Sequence, residues 1–365
     1  MESEMMESEK MGRDGMKGEG MKGERMGNEK LLTVVVPTYN IEGYIERCVE
    51  SVAGVRGNER VEVLVVNDGS TDGSSALAHG VEGRYGGVVR VIDKENGHYG
   101  SCVNRGIAEA RGKYVKVLDG DDWFDTECFG EMLDAMECQD ADLVMSDFAV
   151  RYEDSGRVEV HALDFAAGRV FDVNELLGCD ALVHVWHQSL CYRRGLLEGY
   201  RQLERVHYTD VMWDFVPMCR VGSVYRFGGA VYYYRLGRPG QSVAAEVRRR
   251  NFGHEIKVTM AILVSLRGMV DAGVCESGRI ERPLLERLKM LYRDAIVKGF
   301  ADGDEGMVGL DALLGEVMPG VYEGVGRLRL SCPLLPLRYI RLWRRDRGSW
   351  LLRWCVGVYR LLHGC

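Results

Sequence analysis

The sequence predicts an α/β fold: a parallel sheet with helices on both faces, followed by a mainly helical C-terminal region. Three observations predict it. Short Val-rich runs recur after residue 30, each is followed by a stretch with helical patterning, and the loops that close the runs are compact and polar. Strands buried on both faces read as near-continuous apolar runs, and their alternation with helices builds parallel βαβ units.

The elements are expected in this order. Residues 1–30 are six pentads, each beginning with Met. A five-residue period turns by roughly 140° per repeat around a helix, so it makes no apolar stripe. The pentads also offer too little apolar surface to repay ordering, so they are expected to form a disordered tail outside the fold. A start codon at Met26 is equally compatible with this reading. "LLTVVV" (31–36) is the first strand, closed by Pro37, and a helix spans 43–53. "VEVLVV" (61–66) is the second strand, and the helix in "STDGSSALAHGV" has Ser70 or Asp72 to cap its N-terminus. "VVRVI" (88–92), a helix near 101–110, and "KYVKVL" (113–118) follow; a helix at 126–137 then precedes "ADLVMSDF" (141–148). Residues 150–245 are mixed, and 246–311 read as mainly helical. The expected division is a tail to residue 30, a sheet domain over 31–245, a helical region over 246–325 and a basic amphipathic segment over 326–365.

The 365-residue chain carries a formal charge of −8, which argues against nucleic acid as a partner. The charge is unevenly spread: 327–365 holds nine Arg and one Asp, leaving −16 for the rest. The 11 cysteines show no C-x-x-C spacing, as expected of reduced thiols in a cytosolic protein. No apolar run reaches the ~18 residues of a spanning helix.

In open α/β sheets ligands sit beyond the carboxyl ends of the strands. There the chain places "PTYN", "NDGSTD" and "DGDD". Asp119, Asp121 and Asp122 are three carboxylates within four residues, against an apolar strand and an aromatic pair. A hard divalent cation, Mg²⁺ or Mn²⁺, would stabilise them together, and a solvated surface turn is the alternative. Asp68, at the end of the second strand, can accept from N3–H of uracil or thymine, or from guanine. No G-x-G-x-x-G follows a strand, and no P-loop or H-E-x-x-H motif occurs. His184 and His187 are spaced i, i+3 without a carboxylate at ligand spacing, so a hydrogen-bonded or pocket-lining role is expected.

The ordered set "TVVVPTYN", "VEVLVVNDGSTDGS" and "NGHYGSCVNRGIAEARGKYVKVLDGDDW" resembles the family 2 glycosyltransferases of bacterial cell-envelope type. A weaker match runs through "HQSLCYRR", "HYTDVMWDFVP" and "YYYRLGRPGQSV". The resemblance implies a GT-A sheet that binds a nucleotide-diphosphate sugar, favouring a UDP-sugar, with Mg²⁺ or Mn²⁺ as cofactor. It implies inverting transfer to a glycan or lipid-linked acceptor. It places Pro37, Thr38, Tyr39, Asp68, Asn96, Gly97, Asn104, Asp119, Gly120, Arg235, Gln241 and Ser242 at the nucleotide-sugar, and Asp119 and Asp121 at the metal, with Asp122 supporting them. Asp210 takes the position of the general base, with Thr209 where the family carries Glu; a helix N-cap is the other reading of Asp210. Thr209 keeps a second function open, a catalytically silent nucleotide-sugar-binding or scaffold protein.

The C-terminal Arg/Trp segment has two readings. It packs an apolar face on the domain with Arg in water, or it meets an anionic membrane surface through 327–365. The second would place the protein in the cytoplasm, peripheral on the inner face of the cell membrane. Pro333 and Pro336 break any helix there, so one is expected after residue 337.

Overall fold

A computed structural model of the chain describes residues 30–177, 182, 186–238, 240–275, 278–300, 305–329 and 338–363. The expected tail before Lys30, together with His184, Pro333 and Pro336, lies outside them.

Strands β1 (Leu32–Thr38), β2 (Val61–Asn67), β3 (Val89–Asp93) and β4 (Tyr114–Val117) alternate with helices α1 (Ile45–Ala53), α2 (Ser74–Arg84) and α3 (His98–Glu109). β2 and β4 flank β1 in parallel, with Val34 opposite both Val63 and Lys116, and β3 continues the sheet beyond β2. Every residue of β1 and β2 is buried, which is why both read as unbroken apolar runs. α1 buries Ile45, Cys48, Val49 and Val52, the i, i+3, i+4, i+7 face that docks a helix on a sheet. α3 crosses the opposite face so closely that a Cβ at Gly106 would stand 2.3 Å from Val35 Cγ1. Only glycine permits that approach.

Two local expectations change. α3 begins at His98 rather than near residue 101. The N-cap position of α2 is Gly73, with no side-chain cap bond of its own. Asp72 Oδ1 accepts from the Ser74 N–H one position earlier (3.0 Å), and Ser70 Oγ accepts instead from Asn40 N–H (3.1 Å). The polar loop is thereby tied to the loop after β1.

Beyond β4 come β5 (Trp123–Phe124), α4 (Thr126–Cys138), β6 (Leu143–Tyr152), β7 (Val158–His161), β8 (Val170–Asp172), α5 (Val173–Leu177), β9 (Leu190–Arg193), α6 (Asp210–Phe215) and β10 (Ser223–Leu236). The strand order is β3-β2-β1-β4-β9-β6-β10-β5, with β7 on β6 and β8 on β10. The sheet is therefore mixed rather than all parallel. β9 enters between β4 and β6, antiparallel to both, and β5 pairs antiparallel with β10. The expectation failed here because β5 and β9 are too short to carry a periodic signal.

The remaining elements are helical: α7 (Ala245–Arg250), α8 (Phe252–Asp271), α9 (Gly278–Tyr292), α10 (Glu305–Val317), α11 (Pro319–Gly326), α12 (Tyr339–Arg345) and α13 (Trp350–His363). α9 runs into a π turn at Arg293–Val297. One apolar cluster joins this region to the sheet, from Val35 and Val66 through Trp213 and Phe252 to Leu284, Trp343 and Leu352. The opposite face of the sheet packs on α1 and α4 in a second cluster. Among the described residues no helix is long and apolar enough to cross a membrane.

Candidate active site

A cleft of about 1260 Å³ opens beyond the carboxyl ends of β1, β2 and β4. Pro37, Thr38, Tyr39, Asp68, Asp119, Gly120 and Asp121 line its sheet side, and Asp210, Gln241 and Ser242 its other wall. A Cβ at Gly120 would meet Ile41 Cδ1 at 2.3 Å and the Pro37 carbonyl at 2.9 Å, so the turn after β4 lies directly on the loop after β1.

Three carboxylates beside a core repel one another and lose hydration, and each needs a compensating partner. The fold supplies three different ones. Asp119 Oδ1 accepts from Tyr99 Oη (2.9 Å) and Oδ2 pairs with His187 Nε2 (3.2 Å). Burial alone would push the Asp119 carboxyl up, but the His187 cation and the two hydrogen bonds hold it below the usual range. Asp121 Oδ2 accepts from Arg238 Nε. Burial lifts its pKa, against the pull of Arg238. Asp122 is sealed beneath, accepting from Tyr232 Oη (2.6 Å) and Arg235 N–H (2.7 Å). Burial and then its two acidic neighbours push it well up, and both its oxygens are held by hydrogen bonds.

β10 clamps the turn. Tyr232 Oη also accepts from Asp119 N–H (3.1 Å), and Arg235 Nε donates to the Asp121 carbonyl (2.9 Å). Arg235 is spent on this backbone and on Glu153 (2.7 Å), and lies over Tyr44 and Trp123. It positions the turn and stands outside the cleft lining, whereas Arg238 lines the cleft and meets the turn's Asp121 there. Gln241 holds the same loop, donating to the Arg235 carbonyl (2.6 Å) and accepting from Gly237 N–H (2.9 Å). The Ser242 carbonyl accepts from Tyr208 Oη at 3.1 Å.

Asp68 is 2% exposed, and its Oδ1 accepts from Lys94 Nζ and from Gly97 N–H (2.9 Å). A Cβ at Gly97 would lie 2.6 Å from Ser101 Oγ, so glycine is required for that backbone contact. Asn96 and Asn104 stand outside the cleft lining. Asn96 Nδ2 donates to the Asp68 carbonyl (3.0 Å). Asn104 fastens α3 to the 202–204 loop, donating to the Gln202 carbonyl (3.0 Å) and accepting from Gln202 N–H (2.8 Å).

His187 joins the two halves of the site. Its Nε2 faces Asp119, and its Nδ1 lies 3.9 Å from Asp210 Oδ2. The buried Lys116 of β4 fixes the turn that carries it, donating to the Gln188 carbonyl at 2.6 Å; burial pushes that amine down to about 8. Burial disfavours the imidazolium, but Asp119 and then Asp210 outweigh it and lift His187 to about 9. Asp210 is the first residue of α6, and the N-cap position belongs to Thr209, whose buried hydroxyl makes no hydrogen bond. Burial raises the Asp210 carboxyl, and His187 draws it back. Asp214, one turn further along α6, also faces the cleft, and burial pushes it up to about 8.

Tyr99, Lys94 and Arg238 carry roles that sequence reading did not assign, while His187 takes the hydrogen-bonded, cleft-lining role expected of it, with partners the sequence did not name. Tyr99 and Lys94 lie inside or beside the "NGHYGS" motif. For His187 and Arg238 no local signal marks the partner, because each is far in sequence from the acid it meets.

Among the described residues no group of three or more His, Cys, Asp or Glu side chains could hold a metal by itself. Asp119 has given both oxygens to Tyr99 and His187, which leaves Asp121 as the candidate cation ligand. One carboxylate fits Mg²⁺ or Mn²⁺, whose shells are commonly completed by phosphate and water.

The chain is similar to known proteins in sequence and in fold. Residues 33–200 match the model of glycosyl transferase family 2. The uncharacterized glycosyltransferase EpsJ of Bacillus subtilis is 34% identical over 175 residues, 46% of this chain and 49% of that protein. The uncharacterized glycosyltransferase MG060 of Mycoplasma genitalium is 25% identical over 273 residues, 73% of this chain and 85% of that protein. The match covers about half of EpsJ, one of the first curated relatives. The crystal structure of S. aureus TarS 1-349 in complex with UDP-GlcNAc superimposes with a TM-score of 0.68 at 18% identity, over 90% of this chain and 89% of that one. That likeness shows the GT-A fold. Residues 33–200 thus belong to glycosyl transferase family 2, and the fold that carries them is shared with TarS.

Proposed function

We propose that this chain is an inverting glycosyltransferase that moves a sugar from a UDP-sugar to a hydroxyl of a glycan or lipid-linked acceptor of the bacterial cell envelope. The observation that carries this reading is His187, which faces Asp119 on one side and Asp210 on the other. A donor-side acid and a candidate base, 91 positions apart in the chain, thus share one imidazole in one cleft. TarS, with the same fold, is known in complex with UDP-GlcNAc, which supports a uridine nucleotide as donor. Cys48, Cys102, Cys128, Cys138 and Cys191 are free thiols, in keeping with work on the cytoplasmic side.

Asp68 accepts the base N–H, held from behind by Lys94 and Gly97. Arg238 presents its charge to the diphosphate. Asp210 takes the proton of the acceptor hydroxyl as that oxygen attacks the anomeric carbon from the face opposite the diphosphate. The bond to the diphosphate oxygen breaks, UDP leaves with the electron pair, and the configuration inverts. Mg²⁺ or Mn²⁺ at Asp121 would neutralise charge on the departing diphosphate.

Asp210→Asn is expected to lower transfer by about 10²–10⁴-fold, the range of a lost general base. Donor binding, read as the thermal shift given by UDP with Mn²⁺, is expected to persist. Transfer at the unmodified rate would remove Asp210 from the mechanism. Donor binding by the unmodified chain with neither transfer nor donor hydrolysis would favour the silent scaffold instead.

A further inference from the structure

The last helix, α13, is apolar on two faces, and the core needs only one. Its inner face is complete: Leu352, Cys355 and Val356 are buried, and Tyr359 lines the cleft. On the other side Trp350 is 76% exposed, Trp354 47% and Leu361 87%. At about 100° of rotation per residue these three stand within about 40° of one another around the helix axis. They form one outward stripe, not a scatter of surface residues. Apolar stripes left in water mark a docking surface rather than a folding requirement.

The charge around the stripe identifies what covers it. Residues 338–363 contain seven Arg and a single acid, Asp346. Arg338, Arg345, Arg347 and Arg353 are exposed, and so is Arg341, which pairs only with the equally exposed Glu323 at 3.3 Å. A second copy meeting this stripe with its own would set arginines against arginines, and like charges that close repel one another. An anionic bilayer offers both: headgroup charge for the guanidinium groups and an interfacial layer for indole rings.

We infer that α13 docks the protein on an anionic membrane surface, with Trp350, Trp354 and Leu361 in the interfacial layer and the arginines around them on lipid headgroups. No described helix crosses the bilayer, so the contact is peripheral and reversible. Because α12 and α13 also give Tyr339 and Tyr359 to the cleft, docking would set the acceptor end of the site beside the membrane. An acceptor carried on a lipid would reach it there.

The test uses the full chain and sedimentation with vesicles of phosphatidylcholine alone or with ~30% phosphatidylglycerol, the latter an anionic surface of the kind basic segments recognise. Binding is expected only to the anionic vesicles, with a blue shift of tryptophan emission. Replacing Arg347 and Arg353 by Gln is expected to weaken partitioning by about fivefold per residue, and 0.5 M salt to do the same more broadly. Trp350→Ser with Trp354→Ser is expected to abolish binding while melting temperature and donor hydrolysis stay unchanged, since neither residue touches the cleft. No sedimentation with anionic vesicles, or equal sedimentation with neutral ones, would overturn the proposal. So would concentration-dependent dimerisation that the tryptophan substitutions remove while vesicle binding survives. Vesicle sedimentation and melting temperature do not depend on sugar transfer, so failure of the docking proposal is distinguishable from failure of the transferase reading.

Discussion

Replacing His187 by Gln separates the charge of the imidazole from its hydrogen bond. Gln keeps an N–H donor for Asp119 but carries no cation. In the wild type the His187 cation lies 3.9 Å from Asp210 Oδ2. At an effective dielectric of about 20, a charge pair near 4 Å interacts by about 4 kcal/mol. The Asp210 side chain is 36% exposed, so solvent screening halves this to roughly 2 kcal/mol. One pKa unit corresponds to about 1.4 kcal/mol, so losing the cation raises the Asp210 carboxyl by about 1–2 units. A general base works only when ionised, and the acid limb of the kcat profile follows its pKa. Burial already raises this carboxyl above its ordinary value, and the variant raises it further. The assay is initial transfer rate against pH at saturating UDP-sugar, from pH 4 to 9, with UDP thermal shifts confirming an intact donor site. The acid limb of His187→Gln is expected about 1–2 pH units higher than that of the wild type. An unmoved limb with donor binding intact would show that Asp210 is not the base or that His187 does not tune it.

Two further outcomes are expected. Asp121→Ala should lose the extra thermal stabilisation that Mn²⁺ adds to UDP and reduce transfer by about 10³-fold, the effect of withdrawing several kcal/mol of charge neutralisation; undiminished transfer would refute the metal role. Asp214 is raised from 3.8 to about 8 in the folded chain, so its neutral form stabilises the fold fully below the unfolded pKa, and that contribution fades as pH rises towards 8. Asp214→Asn should therefore be more stable than wild type by a margin that grows by about 1.4 kcal/mol per pH unit between pH 5 and 7, read from urea midpoints at each pH. A margin independent of pH would refute it.

The sheet side of the cleft was legible in the chain because its parts are local. A buried parallel strand must be apolar throughout, and the residue that ends it enters the crevice, so Asp68, Asp119 and Asp121 could be named from position alone. The resemblance also set Arg235 and Asn104 at the nucleotide-sugar, but neither lines the cleft. Their identities fit a polar site, but whether a side chain faces the cleft or the backbone behind it depends on strand pairing and loop docking. β10 decides this for Arg235, and the 202–204 loop decides it for Asn104.

Sequence by itself determined the alternation of strands and helices from β1 to β4, the acidic turn, and the basic, tryptophan-bearing end, since each rests on periodicity or composition within a short window. Tertiary structure decided the rest: the antiparallel entry of β9, the sealing of Asp122 beneath Tyr232, the pairing of Arg238 with Asp121, the meeting of Asp119 and Asp210 at His187, and which face of α13 remains in water. The physical reason is range. Hydrophobic patterning acts between residues a few positions apart, whereas charge compensation and desolvation depend on what the folded chain brings within a few ångströms.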